Sequence, residues 1–204
     1  MVKFKIVTWQ EIDHLARKLF HLIKNDDYEP DIILGISRGG TIPARLLSDM
    51  FEAVIPFKER GSTSILATMQ IKFYAGIAET HTRPVVAQDV TIEIQQKKIL
   101  LVDDLVDSGE SIQCALDYLN LKNPKEIRIA ALLHKPWSKV TPHYYVEEST
   151  EWVVFPHEYY EFMTERTISE GYNKAEAWAT FLKLGIPDSS VSFFVENFLS
   201  SPPT

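Results

Sequence analysis

Ile99-Leu100-Leu101-Val102 runs without a break into Asp103-Asp104, and Asp107-Ser108-Gly109-Glu110-Ser111 then opens a segment in which Ile112, Ala115, Leu116 and Leu119 recur at helical spacing. The apolar run reads as a buried strand and the repeat after it as an amphipathic helix. Between them lie the parts of an anion cradle: backbone N–H groups at a helix N-terminus, a glycine that permits close approach, and two serine hydroxyls. The two carboxylates at the strand end suit sugar hydroxyls or, directly or through water, a Mg2+ ion. An isolated acidic turn would be a solvated connection and nothing more. Strand, acidic pair, glycine loop and helix together point to a sugar phosphate.

The same strand, glycine turn, helix order occurs earlier. Residues 32–36 are apolar and end in Ser37-Arg38-Gly39-Gly40, after which Pro43, Leu46 and Leu47 suggest a helix. Upstream, Thr8-Trp9-Gln10-Glu11 has the form of a capping box, followed by Ile12, Leu15, Ala16, Leu19 and Ile23 on one helical face. Strands are expected over residues 64–73, 85–94, 98–102 and 127–133, with shorter ones at 144–146 and 152–155. Roughly five or six of these strands in one sheet, several of them parallel, predict an α/β chain: an open, mainly parallel sheet with helices on both faces. Residues 74–84, rich in Gly, Thr and charge, are expected to be mobile.

Beyond Pro156 the pattern turns helical. Ala175, Trp178, Ala179 and Leu182 share a face that ends at Gly185 and Pro187, and Asp188 or Ser189 can cap a further helix carrying Val191, Phe194, Val195, Phe198 and Leu199. The expected organisation is a core over residues 1–157 and a helical C-terminal extension over 158–204, packed on the core or on a second subunit.

Composition narrows the function. With 21 Lys plus Arg against 28 Asp plus Glu, the net charge is −7, which argues against general affinity for nucleic acid or an anionic membrane; an anionic ligand must be held locally. A single cysteine, Cys114, makes no internal disulfide, and with no signal peptide or membrane-length apolar run the expected location is cytoplasmic.

These motifs resemble those of the type I phosphoribosyltransferases, whose signature is an apolar strand, two acidic residues and a Thr/Ser-Gly phosphate loop. The likeness extends to the 6-oxopurine salvage members of the xanthine-guanine and hypoxanthine-guanine kind, above all their archaeal relatives. It is carried, in order, by Val7-Thr8-Trp9, Ser37-Arg38-Gly39-Gly40 with Pro43, Asp103-Asp104-Leu105-Val106-Asp107, Lys135-Pro136, Tyr144-Tyr145-Val146 and Trp152-Val153-Val154-Phe155-Pro156. The resemblance implies the type I phosphoribosyltransferase fold, a Mg2+-dependent transfer from phosphoribosyl pyrophosphate to a purine base giving a nucleoside monophosphate and pyrophosphate, and at least a homodimer. It assigns Asp107, Ser108, Gly109, Glu110 and Ser111 to the 5-phosphate, and Asp103 and Asp104 to the ribose hydroxyls and Mg2+. Ser37, Arg38, Gly39 and Gly40 would bind pyrophosphate, with Arg38 and Asp107 as the catalytic pair. Asp107 would also lie under the purine, accepting from its imidazole edge. For the base, Lys135 would donate to the 6-oxo group, Trp152 would stack, and the Val153 backbone would meet the pairing edge. Residues 74–84 would be the lid, with Lys72, Tyr74 and Arg83 in or beside it.

The sequence departs from the family pattern in three places. Ser108 and Ser111 stand where threonines are common. Glu110 places a carboxylate in a phosphate loop, which requires its side chain to point away. His157 follows Pro156 where relatives often carry an aromatic. Cys114 and His134 are expected to serve packing; Trp137, Tyr144 and Tyr145 are read either as lining the base site or, with at least equal weight, as core or dimer packing; and His14, His21 and His81 have no partner at metal-ligand spacing. Two readings compete with oxopurine salvage: adenine as the base on the same scaffold, and a non-catalytic nucleotide-sensing regulator.

Overall fold

Two β-branched and leucine-rich runs, Ile32–Ser37 and Lys98–Val106, lie side by side and parallel, Ile32 opposite Ile99 and Gly35 opposite Val102. Runs buried on both faces form when helices cover both sides of a parallel sheet. The computed structural model describes residues 3–54, 65–75 and 82–199. In chain order these contain β1 (Phe4–Ile6), α1 (Trp9–Asn25), β2 (Ile32–Ser37), α2 (Thr41–Val54), β3 (Ile65–Ala75), β4 (Thr82–Gln88), β5 (Lys98–Val106), α3 (Glu110–Asn120), β6 (Glu126–His134), β7 (Tyr144–Glu148), β8 (Trp152–Val154), α4 (Tyr159–Glu170), α5 (Lys174–Leu184) and α6 (Asp188–Phe198).

The chain divides into two compact units. One comprises residues 12–150; the other joins residues 1–11 to 151–204. The first holds a six-stranded sheet in the order β4-β3-β2-β5-β6-β7. Its neighbours are parallel except β3 and β4, which are antiparallel. Strand alternation sorts its core: Ile32, Leu34, Ile36, Ile99, Leu101, Ile129 and Ala131 face Ile112, Ala115 and Leu119 of α3. On the opposite face Gly35 gives α2 its seat, since a methyl at Gly35 would stand 3.0 Å from the Ala44 Cβ and 2.9 Å from the Gly40 carbonyl oxygen. α1 joins this layer through Phe20, whose ring meets Phe51 of α2 at 5.1 Å. The predicted mainly parallel sheet with helices on both faces is what the chain forms.

The second unit is built from both chain ends. β1 and β8 make a two-stranded parallel sheet, Phe4 opposite Trp152 and Ile6 opposite Val154, so the predicted strand at 152–155 pairs with the N-terminus and not with the main sheet. Three helices cover this pair. Phe162, Met163, Ala177, Phe181, Val191 and Phe194 surround Val154, with Phe4 and Ile6 against them. The division therefore places residues 1–11 and 151–157 with the helices, where the sequence reading drew its line after residue 157.

Local expectations fare unevenly. The Thr8–Glu11 capping box forms, Thr8 N–H donating to Glu11 Oε2 at 2.7 Å and Glu11 N–H to Thr8 Oγ1 at 3.2 Å. Gly185 ends α5 at φ 96°. Neither Asp188 nor Ser189 caps α6: the cap is Pro187, and Asp188 is the first helical residue. β4 ends at Gln88, so Val90 and Ile94, which the pattern placed in a strand, are buried loop residues. α4 and β1 carry no separate prediction. The lid segment falls at 76–81 outside the described residues, as does His81; its flanks form the β3–β4 pair, with Lys72 and Arg83 exposed.

Candidate active site

In an open parallel sheet, a ligand site forms beyond the carboxyl ends of two adjacent strands whose connections leave in opposite directions. β2 and β5 are such a pair: the chain passes from β2 to β3 on one side and from β5 to β6 on the other. The two glycine-bearing loops of the sequence leave these two strands. The sheet topology alone thus brings Ser37–Gly40 to Asp103–Ser111.

The two loops touch. A methyl built on Gly39 would overlap the Asp104 carboxylate, and one on Gly40 would run into the Val102 carbonyl oxygen. Neither position tolerates a side chain in this packing, which accounts for the Gly-Gly pair. The Ser37–Arg38 peptide is cis. Ser37 Oγ lies 3.2 Å from Thr41 Oγ1 at the start of α2, and Arg38 is exposed beside them.

Asp103 and Asp104 are successive residues of an extended strand, so their side chains leave it on opposite faces. Asp104, buried, turns to Gly39. Asp103 lines a cleft of about 160 Å³ with Asp107, Ser108, Gly109 and Ser111, closed at its side by Phe73. Each carboxylate is oriented by the next backbone N–H, Asp103 Oδ1 accepting from Asp104 at 3.0 Å and Asp104 Oδ1 from Leu105 at 2.8 Å. Hard oxygen donors of this type match the preference of Mg2+.

The loop after β5 ends at Gly109, which caps α3 at φ 82° and ψ 0°, a left-handed conformation natural to glycine. The first N–H groups of α3 have no carbonyl inside the helix and face the cleft end of the loop. Glu110 is turned outward: its Oε1 accepts from Lys139 Nζ at 2.9 Å while its N–H donates to Ser108 Oγ at 3.3 Å. The chain thus accommodates a carboxylate in this loop by pairing it with a lysine from the next connection.

Lys135, buried, follows β6, its N–H donating to the Val106 carbonyl at 3.0 Å. The six loop and strand-end positions Asp103, Asp104, Asp107, Ser108, Gly109 and Lys135 therefore stand in one unit with Ser37–Gly40. Trp152 and Val153 open β8 in the other unit; Trp152 is exposed and Val153 buried. In that unit the unusual His157 stacks on Phe155, ring centroids 5.3 Å apart.

Sequence reasoning undervalued two residues. Trp137 donates its indole N–H to Asp107 Oδ1 at 3.0 Å, and Lys139 holds Glu110. No local sequence pattern marked either contact; it is the strand register, Val106 opposite His134, that carries residues 135–139 past the Asp107–Ser111 loop. The packing readings of three others fit their surroundings. His134 is buried with its ring 4.9 Å from Tyr145, Tyr144 Oη donates to Asp26 at 2.7 Å, and Cys114 donates to the Pro84 carbonyl at 3.5 Å, burial pushing its thiol up. Among the described residues no helix is long and apolar enough to cross a membrane.

Several known proteins are similar to this chain. A xanthine-guanine phosphoribosyltransferase of Gluconobacter oxydans is 31% identical over 157 residues, 76% of this chain and 84% of the relative. A hypoxanthine-guanine phosphoribosyltransferase of Aquifex aeolicus is 31% identical over 108 residues, 52% of this chain and 55% of the relative. The crystal structure of a purine phosphoribosyltransferase from Pyrococcus horikoshii is similar at 32% identity and a TM-score of 0.65, covering 75% of this chain and 93% of that one. The phosphoribosyl transferase domain matches residues 6–161. On the fold, on the paired loops and on this match, the chain belongs to the phosphoribosyl transferase domain family.

Proposed function

We propose that the protein is a purine salvage enzyme that transfers the phosphoribosyl group from phosphoribosyl pyrophosphate to a 6-oxopurine, releasing pyrophosphate and a nucleoside monophosphate. The observation that carries the reading is the contact of the Ser37–Gly40 loop with Asp104, which puts a loop suited to pyrophosphate against a strand end suited to ribose 5-phosphate. The names of the relatives, purine phosphoribosyltransferases among them, support the same class.

In this reading the loop from Asp107 to Ser111 and the α3 N-terminus hold the 5-phosphate. Arg38 gives the leaving pyrophosphate a fixed fork of donors, and the Gly39 and Gly40 backbone approaches it closely. The anomeric carbon passes through an oxocarbenium-like state, so positioning and charge stabilisation dominate the catalysis. Asp107 accepts from the imidazole edge of the incoming base. Asp103, on the cleft side of the strand, would hold Mg2+, which would supply neutralisation of the pyrophosphate charge, while Asp104, on the opposite side, backs the Gly39 turn. Lys135 determines the base class: an ammonium has donors only, matching a 6-oxo acceptor and opposing the 6-amino donor of adenine. A mismatch of that kind costs roughly 1–3 kcal/mol, about tenfold or more in preference. The family's dimeric habit extends to this chain as part of the proposal.

The test is pyrophosphate release with guanine, hypoxanthine, xanthine and adenine in competition, with Mg2+ and with excess chelator. Turnover of oxopurines that stops in chelator and returns with Mg2+ is expected. Preference for adenine overturns the base class, full activity in chelator overturns the metal assignment, and ligand binding without turnover on any base makes the protein a sensor.

A further inference from the structure

The connection after β6 lies against the loop after β5 at several points. Lys135 N–H meets the Val106 carbonyl at 3.0 Å and Lys139 N–H the Ser108 carbonyl at 3.0 Å. Lys139 Nζ meets Glu110 at 2.9 Å, and a methyl at Gly109 would strike Ser138 Oγ at 2.7 Å. In the middle of this strap stands Trp137. Its side chain is 55% exposed, so burial does little to hold it in place. Two polar contacts do: the indole N–H donates to Asp107 Oδ1 at 3.0 Å, and the Lys135 ammonium lies 5.2 Å from the ring centroid. A hydrogen bond to a carboxylate and a cation over an indole face are both among the stronger contacts open to a half-exposed side chain.

We propose that Trp137 is a positioning residue for phosphoribosyl transfer, holding the Asp107 carboxylate through its N–H and the Lys135 ammonium over its ring. The proposal rests on the transfer reaction given above. In the proposed reaction Asp107 and Lys135 address two edges of the same base, from the ends of two different strands, and Trp137 contacts both. It fixes their separation before the base arrives, so reorientation of the carboxylate is not left to the transition state. Trp137 acts through these two groups and makes no contact with the reacting atoms in this role.

The test uses the full chain. Trp137→Phe keeps a ring beneath Lys135 and deletes the N–H; loss of one hydrogen bond to a charged group corresponds to about a tenfold change. We expect kcat for guanine or hypoxanthine to fall about tenfold while KM for phosphoribosyl pyrophosphate stays within about twofold. In an Asp107→Asn background the same substitution is expected to cost no more than about twofold, because the carboxylate it acts through is gone. Independently of turnover, the indole N–H resonance that disappears in Trp137→Phe should move upfield in Asp107→Asn. A full tenfold loss in the Asp107→Asn background, an unshifted indole resonance, or unchanged kcat in Trp137→Phe each overturns the role. Wild-type protein that releases no pyrophosphate with any base overturns the transfer reaction itself, and this role with it.

Discussion

Gly39 is the position at which one added carbon should do the most damage. Its α-hydrogen faces the Asp104 carboxylate, and a methyl there overlaps it. Overpacking of this kind costs about 1–3 kcal/mol of stability, but the larger effect falls on function, because a displacement of about 1 Å between reacting groups can cost on the order of 100-fold. Gly39→Ala should therefore fold, with a lowered melting temperature, and lose at least tenfold in pyrophosphate release by the measure of steady-state turnover. Tyr159 makes a second prediction, on pH. Its hydroxyl donates to the Val7 carbonyl at 2.6 Å, and burial followed by the charge of Glu11 pushes its ionisation up from 10.0 to about 12. The folded state thus keeps a proton that the unfolded chain gives up. The associated stability is fully present below pH 10 and declines as pH rises from 10 towards 12, by roughly 2–3 kcal/mol in all. Denaturant melts of wild type and Tyr159→Phe across that range should converge, since phenylalanine has nothing to ionise. At this scale the phosphate loop was readable because its residues are consecutive. The Trp137 to Asp107 bond spans 30 positions and leaves no mark on local pattern.

Elements announce themselves in proportion to their length and regularity. α1 was legible from its capping box and five apolar positions, and β2 and β5 from unbroken apolar runs, because a strand buried on both faces needs no polar alternation. β1, three residues long, is too short to show a period, whereas the equally short β8 was read as a strand from Trp152–Phe155, although its pairing with β1 was not. α4 buries Tyr159, Phe162, Met163 and Thr167, a stripe with polar members at both ends, and so it stood out less than the helices after it. All three of these helices meet at Phe181, whose fully buried ring packs edge-on against Phe162 of α4 at 6.2 Å and Phe194 of α6 at 6.0 Å. Phe181→Ala should remove about 3–5 kcal/mol, read as a shift in the denaturant midpoint of the full chain. A shift below about 1 kcal/mol would mean that the helices close over the gap and that the cluster is looser than its packing indicates.

For the whole molecule the consequential fact is that the helices cover the strand pair made by the two ends. Cutting the chain after Glu158 removes Phe162, Met163, Phe181 and Phe194, and so uncovers Phe4, Ile6 and Val154. The truncated protein should aggregate or change its oligomeric mass in light scattering, while whatever stays soluble still binds phosphoribosyl ligands through the 12–150 unit. A soluble truncation of unaltered mass and melting temperature would make the helices dispensable. The division by both ends also gives the chain a timetable. A ribosome releases Phe4–Ile6 roughly ten seconds before Trp152–Val154 at ordinary elongation rates, and domains fold as units while later segments are still being made. Residues 12–150, with their own core, can therefore assemble on the ribosome while the opening strand remains unmatched. For residues 1–11, birth order and assembly order run in opposite directions, and α4 to α6, translated after the main unit, are the helices that bring β1 under cover.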